Sequence, residues 1–302
     1  MSILVVGSVA FDTVETPFGR AERVLGGSAS FFSVAASFFA PVRLVAVVGS
    51  DFGDAQLKAF RGRDIDLTGL ERAEGQSFHW EGRYSYDLNS RDTIRTDLNV
   101  FESFAPKIPA SYRDSEHVFL GNIHPKLQRE VLDQVDRPRL VACDTMNFWI
   151  SGAPEELRAT LARVDILLIN DGEARELSGE WNLVKAARAI RAMGPRALVV
   201  KKGEHGVLMF SEDGSFAAPA FPLEDVFDPT GAGDTFAGGF MGFLASRRSA
   251  DDATLRRAVV MGSTLASFCV EAFSLDRLLR LTRTEIDERY GLFKRLTHFE
   301  PL

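Results

Sequence analysis

Short apolar runs alternate with amphipathic segments along most of the chain. The apolar runs are nearly continuous and rich in β-branched residues, which is typical of strands that are covered on both faces. They lie at 3–7, 43–49, 117–121, 139–143, 165–170 and 197–203. Segments with helical spacing lie at 28–39, 54–62, 125–135, 153–163 and 181–193. This alternation predicts an α/β fold built on a doubly wound, mostly parallel sheet.

The carboxyl ends of the predicted strands carry small or polar residues. These residues are Gly7, Gly49, Gly121, Asn170 and Gly203. In a doubly wound sheet, ligands bind beyond the carboxyl ends of the strands. We therefore expect the functional site at this edge of the sheet.

Two polar segments, at 11–25 and 76–104, interrupt the alternation. The second contains SFHWEGRYSYDL, an alternating pattern typical of strands with one exposed face. A plain surface hairpin would explain this pattern. Both segments leave the sheet at its ligand-bearing end, however, which favours a small β-flap that acts as a lid over the cleft. Because no linker or repeat interrupts the chain, we expect residues 1–302 to form one domain, and the flap offers a surface for a homodimer.

The charge and the cysteines narrow the class of protein. The net charge is −7, and an acidic balance argues against nucleic-acid and membrane partners, which attract basic patches. The first residues lack the basic and apolar regions of a signal peptide, so we expect a cytoplasmic protein. Cys143 and Cys269 lie in apolar stretches without metal-ligand spacing, which favours two buried thiols over a disulfide or a zinc site.

The segment VFDPTGAGDTFAGGF, residues 226–240, is the strongest candidate for chemistry. Gly231, Ala232 and Gly233 precede Asp234, and the residues that follow have helical spacing. Bare N–H groups at a helix N-terminus form an anion site. A carboxylate at its rim suits a base that accepts the proton of a hydroxyl attacking a phosphate. An ordinary turn with Asp234 as a helix cap would give the same pattern.

Other phosphate-binding motifs are missing from the sequence. The P-loop string G-x-x-x-x-G-K-[ST] does not occur. The Rossmann fingerprint and the glycine loop of protein kinases both need a glycine where Phe236 stands. What remains is an anion site with a carboxylate beside it.

The string DPTGAGDTFAGGF closely resembles the C-terminal signature of the ribokinase-like carbohydrate and nucleoside kinases, the PfkB family. The resemblance implies ATP-dependent transfer of a phosphoryl group to a hydroxyl of a small sugar-like acceptor. It makes Asp234 the general base and the N–H groups of Gly231, Ala232 and Gly233 the anion hole. The alternative is a non-catalytic or regulatory ligand-binding member of the same fold.

Further similarity near the N-terminus implies an acceptor site. ILVVGSVAFDTV is similar to the family's first strand, which is followed by an Asp that binds substrate hydroxyls, here Asp12. GGSASFFSVAASFFA stands in the place of the family's glycine motif, where Gly26 and Gly27 would let the substrate lie against the backbone. On the residues alone, Asp12 could cap a turn and the glycine pair could open a helix.

The resemblance also implies a nucleotide and metal site. DILLINDGEARELSG is similar to the family's N-x-x-E segment, in which Asn170 and Glu173 would organise Mg²⁺ through water beside the phosphates of ATP. The same pair suits a plain helix start. VVKKGEHGVLMF resembles the strand and turn next to the nucleotide, with Lys202 and Gly203 as implied contacts, although its lysines could equally be solvated charges. Many relatives also have a K⁺ site, which here would lie near Asp228 and Thr230.

Two departures from the family's pattern bear on the acceptor. CDTMNFW resembles the D-x-N-x-R region of some sugar-acid and fructose kinases, with Asp144 and Asn147 but without the Arg, which disfavours an anionic acceptor. Phe31 stands where the family usually has an Asn that bonds sugar hydroxyls. A flat apolar face in the pocket favours a nucleoside or a cyclitol over free ribose. If Phe31 turns into the core instead, sugars, nucleosides and cyclitols all stay open.

Overall fold

The structure, a computed structural model, describes residues 1–247, 249–298 and 300. Its strands are β1 (Ile3–Val6), β2 (Ala10–Thr16), β3 (Gly19–Gly26), β4 (Val42–Val48), β5 (Ile65–Arg72), β6 (His79–Tyr84), β7 (Arg91–Asp97), β8 (His117–Leu120), β9 (Leu140–Asp144), β10 (Ile166–Asn170), β11 (Ala197–Lys201), β12 (Val207–Ser211) and β13 (Gly214–Ala218). Its α-helices are α1 (Ser28–Ala36), α2 (Asp54–Leu57), α3 (Pro125–Leu132), α4 (Asn147–Gly152), α5 (Pro154–Leu161), α6 (Asp171–Ser178), α7 (Leu183–Arg191), α8 (Ala232–Ala245), α9 (Asp252–Cys269), α10 (Asp276–Arg280) and α11 (Arg283–Leu296).

Nine strands form the main sheet, in the order β13-β12-β11-β10-β9-β8-β1-β4-β5. The strands from β11 to β5 in that order pair in parallel, and β12 and β13 add an antiparallel edge. The predicted α/β class with a mostly parallel sheet is confirmed. The six predicted strands correspond to β1, β4, β8, β9, β10 and β11, and their carboxyl ends meet at one edge.

Both faces of the main sheet are covered, which explains the continuous apolar runs. In β1, Ile3 and Val5 enter an apolar layer with side chains of α1, α8 and α9. Leu4 and Val6 enter a second layer with side chains of α3, α5 and α7. Successive residues of a strand point to opposite faces, so every position of a doubly covered strand must be apolar.

The helix predictions differ from the structure mainly in extent. The segment 54–62 is α-helical only in α2 and continues as turns to Gly62, whose φ of +78° lies outside the helical range. The predicted helix at 153–163 is α5, which begins at Pro154, where proline's missing N–H costs no helical hydrogen bond. Helix α4, shorter than three turns, was not predicted because so few residues show little periodicity. Helix α6 begins directly after Asn170, which agrees with the helix start that Asn170 and Glu173 suit.

The strands β2, β3, β6 and β7 form a separate four-stranded sheet, in the order β3-β2-β6-β7. It draws on both polar segments, and residues 10–26 and 79–97 are called the flap below. Asp12 and Trp80 are register partners on one face. The other face carries an ion-pair network in which Arg20 contacts Glu15 and Glu81. A homodimer through the flap stays a prediction.

Two further observations concern the expectations from composition. Within the residues that the structure describes, no helix is long and apolar enough to cross a membrane. Cys143 and Cys269 are buried free thiols.

Helices α1 and α8 pack backbone against backbone. A Cβ added to Gly238 would lie 2.4 Å from the carbonyl oxygen of Phe32, and one added to Gly242 would lie 3.0 Å from the Cα of Ala36. All residues of α1 and most of α8 are buried. The small residues that follow Asp234 in the sequence are therefore required for the close approach of these helices.

Gly238→Ala should lower the free energy of unfolding by about 1–3 kcal/mol, because overpacking of this kind pushes packed elements apart. Gly291→Ala in α11 is the matched control, since its added Cβ would meet nothing within 4 Å. That change should raise stability by roughly 0.5–1 kcal/mol through helix propensity. Urea unfolding of the two variants measures the difference, and equal effects would contradict the backbone contact.

Candidate active site

The site is centred on Gly231, the N-cap of α8, whose φ of 75° is left-handed. A Cβ at this position would lie 2.5 Å from atoms of the Phe31 ring. The N–H of Ala232 donates to the Pro229 carbonyl at 3.2 Å. Among the residues that the structure describes, the N–H groups of Gly231 and Gly233 have no hydrogen-bond acceptor. These two groups are free for an anion at the positive end of α8.

Asp234 lies in the first turn of α8, directly after Gly233. Burial raises the pKa of its carboxyl to about 7, and Asp144 adds to this rise. Lys201 and Arg91 lower the pKa and partly offset these effects. A carboxyl that titrates near neutral pH can both accept and release a proton under physiological conditions.

The turn formed by Gly231, Ala232 and Gly233 is called the glycine turn below. Lys201, the last residue of β11, brings a cation to this turn. Its Nζ lies 3.6 Å from Asp144 Oδ2, and a Cβ on Gly233 would lie 3.0 Å from the same nitrogen. Burial alone would lower the pKa of Lys201, but its carboxylate neighbours outweigh that effect and raise it. The ammonium is therefore charged, and it stands beside the free N–H groups of the turn.

Asn170 and Glu173 form a reciprocal cap at the start of α6. The Glu173 N–H donates to Asn170 Oδ1 at 2.7 Å, and the Asn170 N–H donates to Glu173 Oε2 at 2.8 Å. Burial raises the pKa of Glu173, and Asp144 adds to the rise. The capping interpretation is thus confirmed, and Glu173 Oε1 makes no hydrogen bond within the described part of the chain. Their role toward Mg²⁺ stays a prediction.

Asp12 is buried on β2, and its carboxyl lies against the glycine pair. A Cβ on Gly26 would lie 1.9 Å from Asp12 Oδ2. Burial raises the pKa of Asp12 to about 7, and the charges of Asp228 and Asp234 add to the rise. The structure therefore brings Asp12 and the glycine pair into the same site as Asp234.

Phe31 lies beneath the glycine turn. Its side chain is 1% exposed and belongs to the apolar layer of α1 and α8. Its ring fills the space where a Gly231 side chain would otherwise stand. The ring therefore supports the turn, and direct contact between Phe31 and an acceptor stays a prediction.

Asp228 and Thr230 lie in the loop before the turn. The Thr230 N–H donates to Asp228 Oδ1 at 2.8 Å, and the Ser274 N–H donates to Asp228 Oδ2 at 3.3 Å. Asp228 is fully buried, and burial raises its pKa. A K⁺ site beside these residues stays a prediction.

Lys202 and Gly203 follow β11. The Lys202 N–H donates to the Gly206 carbonyl at 2.8 Å. A Cβ on Gly203 would lie 2.7 Å from Oδ1 of Asn89, which belongs to the hairpin between β6 and β7. The tip of the flap thus covers the loop in which the resemblance places the nucleotide. Nucleotide contacts of both residues stay predictions, and Lys201 is the lysine whose ammonium reaches the glycine turn.

Carboxylates outnumber cations in this site. They are Asp12, Asp144, Glu173, Asp228 and Asp234, against Lys201 and the flap residue Arg91. In the part of the chain that the structure describes, no group of three or more His, Cys, Asp or Glu is arranged to hold a metal ion. These residues fit a divalent ion that is bound mainly by phosphate oxygens and water, while the free N–H groups and Lys201 fit the phosphates.

Three residues of the flap were missed by the sequence analysis. Tyr84, Arg91 and Trp80 lie on the flap face that carries Asp12, because Trp80 pairs with Asp12 and Tyr84 pairs with Arg91. Alternation along 79–84 puts Trp80 and Tyr84 on one face, which was a usable signal. Which face turns toward the glycine turn is decided only by the docking of the flap.

Known proteins are similar in sequence to this chain over most of its length. The pfkB family carbohydrate kinase pattern matches residues 2–279. A cytidine kinase from Thermococcus kodakarensis is 31% identical over 251 residues, which cover 80% of this chain and 87% of that protein.

Solved structures share the fold. The aminoimidazole riboside kinase from Salmonella enterica, complexed with aminoimidazole riboside and an ATP analog, matches with a TM-score of 0.74 and 19% identity, over 96% of this chain and 100% of that one. The nucleoside kinase from Burkholderia thailandensis, in complex with inosine, matches with a TM-score of 0.75 and 20% identity, over 99% and 100%.

The glycine turn, the carboxylate beside it and the mixed sheet thus occur in a chain that the family pattern covers almost from end to end. The protein belongs to the pfkB family of carbohydrate kinases, a family that includes sugar and nucleoside kinases.

Proposed function

We propose that this protein is an ATP-dependent kinase that transfers the γ-phosphoryl group to a hydroxyl of a small sugar-like acceptor, with Asp234 as the general base. The observation that carries this proposal is the position of Asp234 in the first turn of α8, directly after the glycine turn that the ammonium of Lys201 reaches. A proton acceptor and an anion site meet at one point, which is what phosphoryl transfer to an alcohol needs.

Asp234 accepts the proton of the acceptor hydroxyl while the hydroxyl oxygen attacks the γ-phosphorus. The bond between the γ-phosphorus and the bridging oxygen breaks, and ADP leaves with the electron pair. The N–H groups of Gly231 and Gly233 hold the charge that spreads over the transferring group. The Ala232 N–H joins this anion hole when its bond to the Pro229 carbonyl opens.

Kinases of this family use ATP with Mg²⁺. When bound, Mg²⁺ would supply positive charge against the phosphates. Asn170 and Glu173 would hold its water shell from the start of α6, since Glu173 Oε1 is not engaged by the cap. Lys201 supplies a fixed cation near the γ-phosphate.

Asp12 orients the acceptor from the opposite side of the site. Its buried carboxyl accepts hydrogen bonds from acceptor hydroxyls, and the bare backbone at Gly26 and Gly27 lets the acceptor approach closely. The rival function is a ligand-binding member without catalysis. The intact combination of Asp234 with an unblocked glycine turn supports the enzyme, because a protein that only binds ligands has no use for a base.

Among acceptors we favour a nucleoside because of Trp80. Trp80 is the register partner of Asp12, and a Cβ on Gly82 would be 2.2 Å from the six-membered ring of its indole. The guanidinium carbon of Arg91 lies 5.7 Å from the ring centre. An aromatic face beside a carboxyl that binds hydroxyls suits a base attached to a sugar. The relatives named cytidine kinase and nucleoside kinase support the same class.

Asp234→Asn should leave ATP affinity unchanged and lower kcat by roughly 10²–10⁴-fold, the range for a positioned general base. The variant keeps the shape of the side chain but cannot accept the proton. Asp213→Asn, in the exposed turn after β12, is the matched control. Steady-state kinetics with a nucleoside, sugar and cyclitol panel provides the measurement. A kcat near that of the native enzyme would remove Asp234 as the base, and ligand binding without turnover of any acceptor would support the rival.

The same variant should be more stable than the native enzyme above pH 7. Burial raises the pKa of Asp234 from 3.8 to about 7 in the native state. The free energy of unfolding therefore falls as the pH rises from about 4 to about 7, and the loss is complete above the pKa of the native state. Asp234→Asn removes that loss. The free energy of unfolding of the variant should exceed that of the native enzyme by on the order of 2–4 kcal/mol at pH 8, and the difference should be much smaller at pH 5. Urea unfolding at both pH values tests this, and an equal change at both would contradict it.

Trp80→Ala should raise the KM for a nucleoside by about 5- to 100-fold, since stacking of a base on an aromatic side chain contributes on that scale. The KM for free ribose should change little. Trp181→Ala is the control, because Trp181 is 84% exposed on the surface. Ribose as the best acceptor of the native enzyme would overturn the nucleoside assignment.

A further inference from the structure

Tyr84 ends strand β6 and reaches from the flap to the loop of the glycine turn. It is 7% exposed, whereas Tyr86, two residues further along the same hairpin, is 86% exposed. Thr230 Oγ1 donates a hydrogen bond to the Tyr84 hydroxyl at 3.3 Å. A residue of the flap is therefore bonded to the residue that directly precedes Gly231.

Every polar group of Thr230 is engaged in the structure. Its N–H donates to Asp228 Oδ1 at 2.8 Å, and its carbonyl accepts from the Cys269 thiol at 3.6 Å. These two partners belong to the body of the fold. The hydroxyl of Tyr84 is the partner that comes from the flap, so the orientation of Thr230 depends in part on where the flap lies.

Two other contacts hold the flap down at the same site. Ser274 donates through its hydroxyl to the Leu25 carbonyl of β3 and through its N–H to Asp228. At the other end, the side chain of Asn89 lies against Gly203. The flap thus touches the loop before the turn from one side and the loop after β11 from the other.

The position of Tyr84 is linked to that of a cation, Arg91, on the next strand of the flap. Arg91 is the cross-strand partner of Tyr84, and its positive charge acts on the Tyr84 hydroxyl. Its charge acts on carboxyls on both sides of the site, Asp12 and Asp234. If the Tyr84 hydroxyl leaves Thr230, the guanidinium moves away from the glycine turn with the flap.

We propose that Tyr84 is a positioning residue that couples closure of the flap to the geometry of the glycine turn. The inference rests on the proposed kinase function for its kinetic consequence. With the flap down, the Tyr84 hydroxyl holds Thr230 and hence the start of α8 in the transfer geometry. With the flap raised, that hydrogen bond is broken, so the anion hole is fully ordered only when an acceptor is enclosed.

Tyr84→Phe tests the coupling because it removes the hydroxyl and keeps the buried ring. We expect kcat to fall by about 5- to 10-fold, the effect of one hydrogen bond, with the KM for ATP unchanged. Tyr86→Phe, whose hydroxyl is in solvent, is the matched control and should behave as the native enzyme. A kcat for Tyr84→Phe within twofold of the control would overturn the proposal.

A double-mutant cycle with Thr230→Val identifies the partner. If the hydroxyl acts through Thr230, the kcat of the double variant should equal that of the lower single variant. Independent, multiplying losses would overturn the coupling. Melting temperatures of all variants are measured alongside the cycle. An equal loss of kcat in a variant destabilised away from the site, Leu157→Ala in the second apolar layer, would assign the effect to general loosening.

Hydrogen exchange separates this proposal from the kinase function. Amides of residues 228–234 should exchange faster in Tyr84→Phe than in Tyr86→Phe, because the loop has lost its tie to the flap. If these amides exchange faster in Tyr84→Phe than in Tyr86→Phe but the native protein phosphorylates no acceptor, the coupling is retained and the kinase function is refuted. Unchanged exchange together with native kcat would refute the coupling and retain the kinase.

Discussion

The backbone contact between α1 and α8 is the constraint on which the rest of the site depends. Gly238 and Gly242 let the two helices approach until their backbones touch, and Phe31 of α1 then fills the space beside Gly231. The N-terminus of α8 is thereby held at the carboxyl edge of the sheet, next to the end of β11. The glycine turn and Asp234 are consequently placed by packing, and the small residues that follow Asp234 serve the contact between the helices.

The charges of the site are arranged for a ligand rather than for stability. Burial raises the pKa of Asp12, Asp144, Glu173 and Asp234 together, because each carboxyl lacks solvent and lies near another. Lys201 compensates only part of this negative charge. A phosphate-bound metal ion would supply the missing positive charge, while the glycine turn would receive the phosphate. Active sites commonly hold such groups at the expense of folding stability.

The flap joins the acceptor side of the site to the phosphate side. Asp12 lies on one of its strands, and Trp80 and Tyr84 lie on the next. Since Tyr84 bonds to Thr230 and Ser274 bonds to Leu25, the sheet that would enclose the acceptor also contacts the loop that leads into the glycine turn. In the proposed kinase, a lid of this kind would exclude water from the transfer step and protect ATP from hydrolysis.

The sequence by itself determined six strands of the main sheet, the helix after the glycine turn and most of the candidate residues of the site. Doubly covered strands need apolar residues at every position, and a helix N-terminus with glycines before an acid is a local pattern, so both can be read from neighbouring residues. The pattern of residues along the chain could not decide whether Phe31 faces the pocket or the core. It also could not decide whether Lys201 or Lys202 reaches the glycine turn. Nor could it reveal the contact between Tyr84 and Thr230, which lie 146 positions apart. These features depend on how the flap and α1 dock against α8, and only the tertiary structure fixes contacts between segments so distant in sequence.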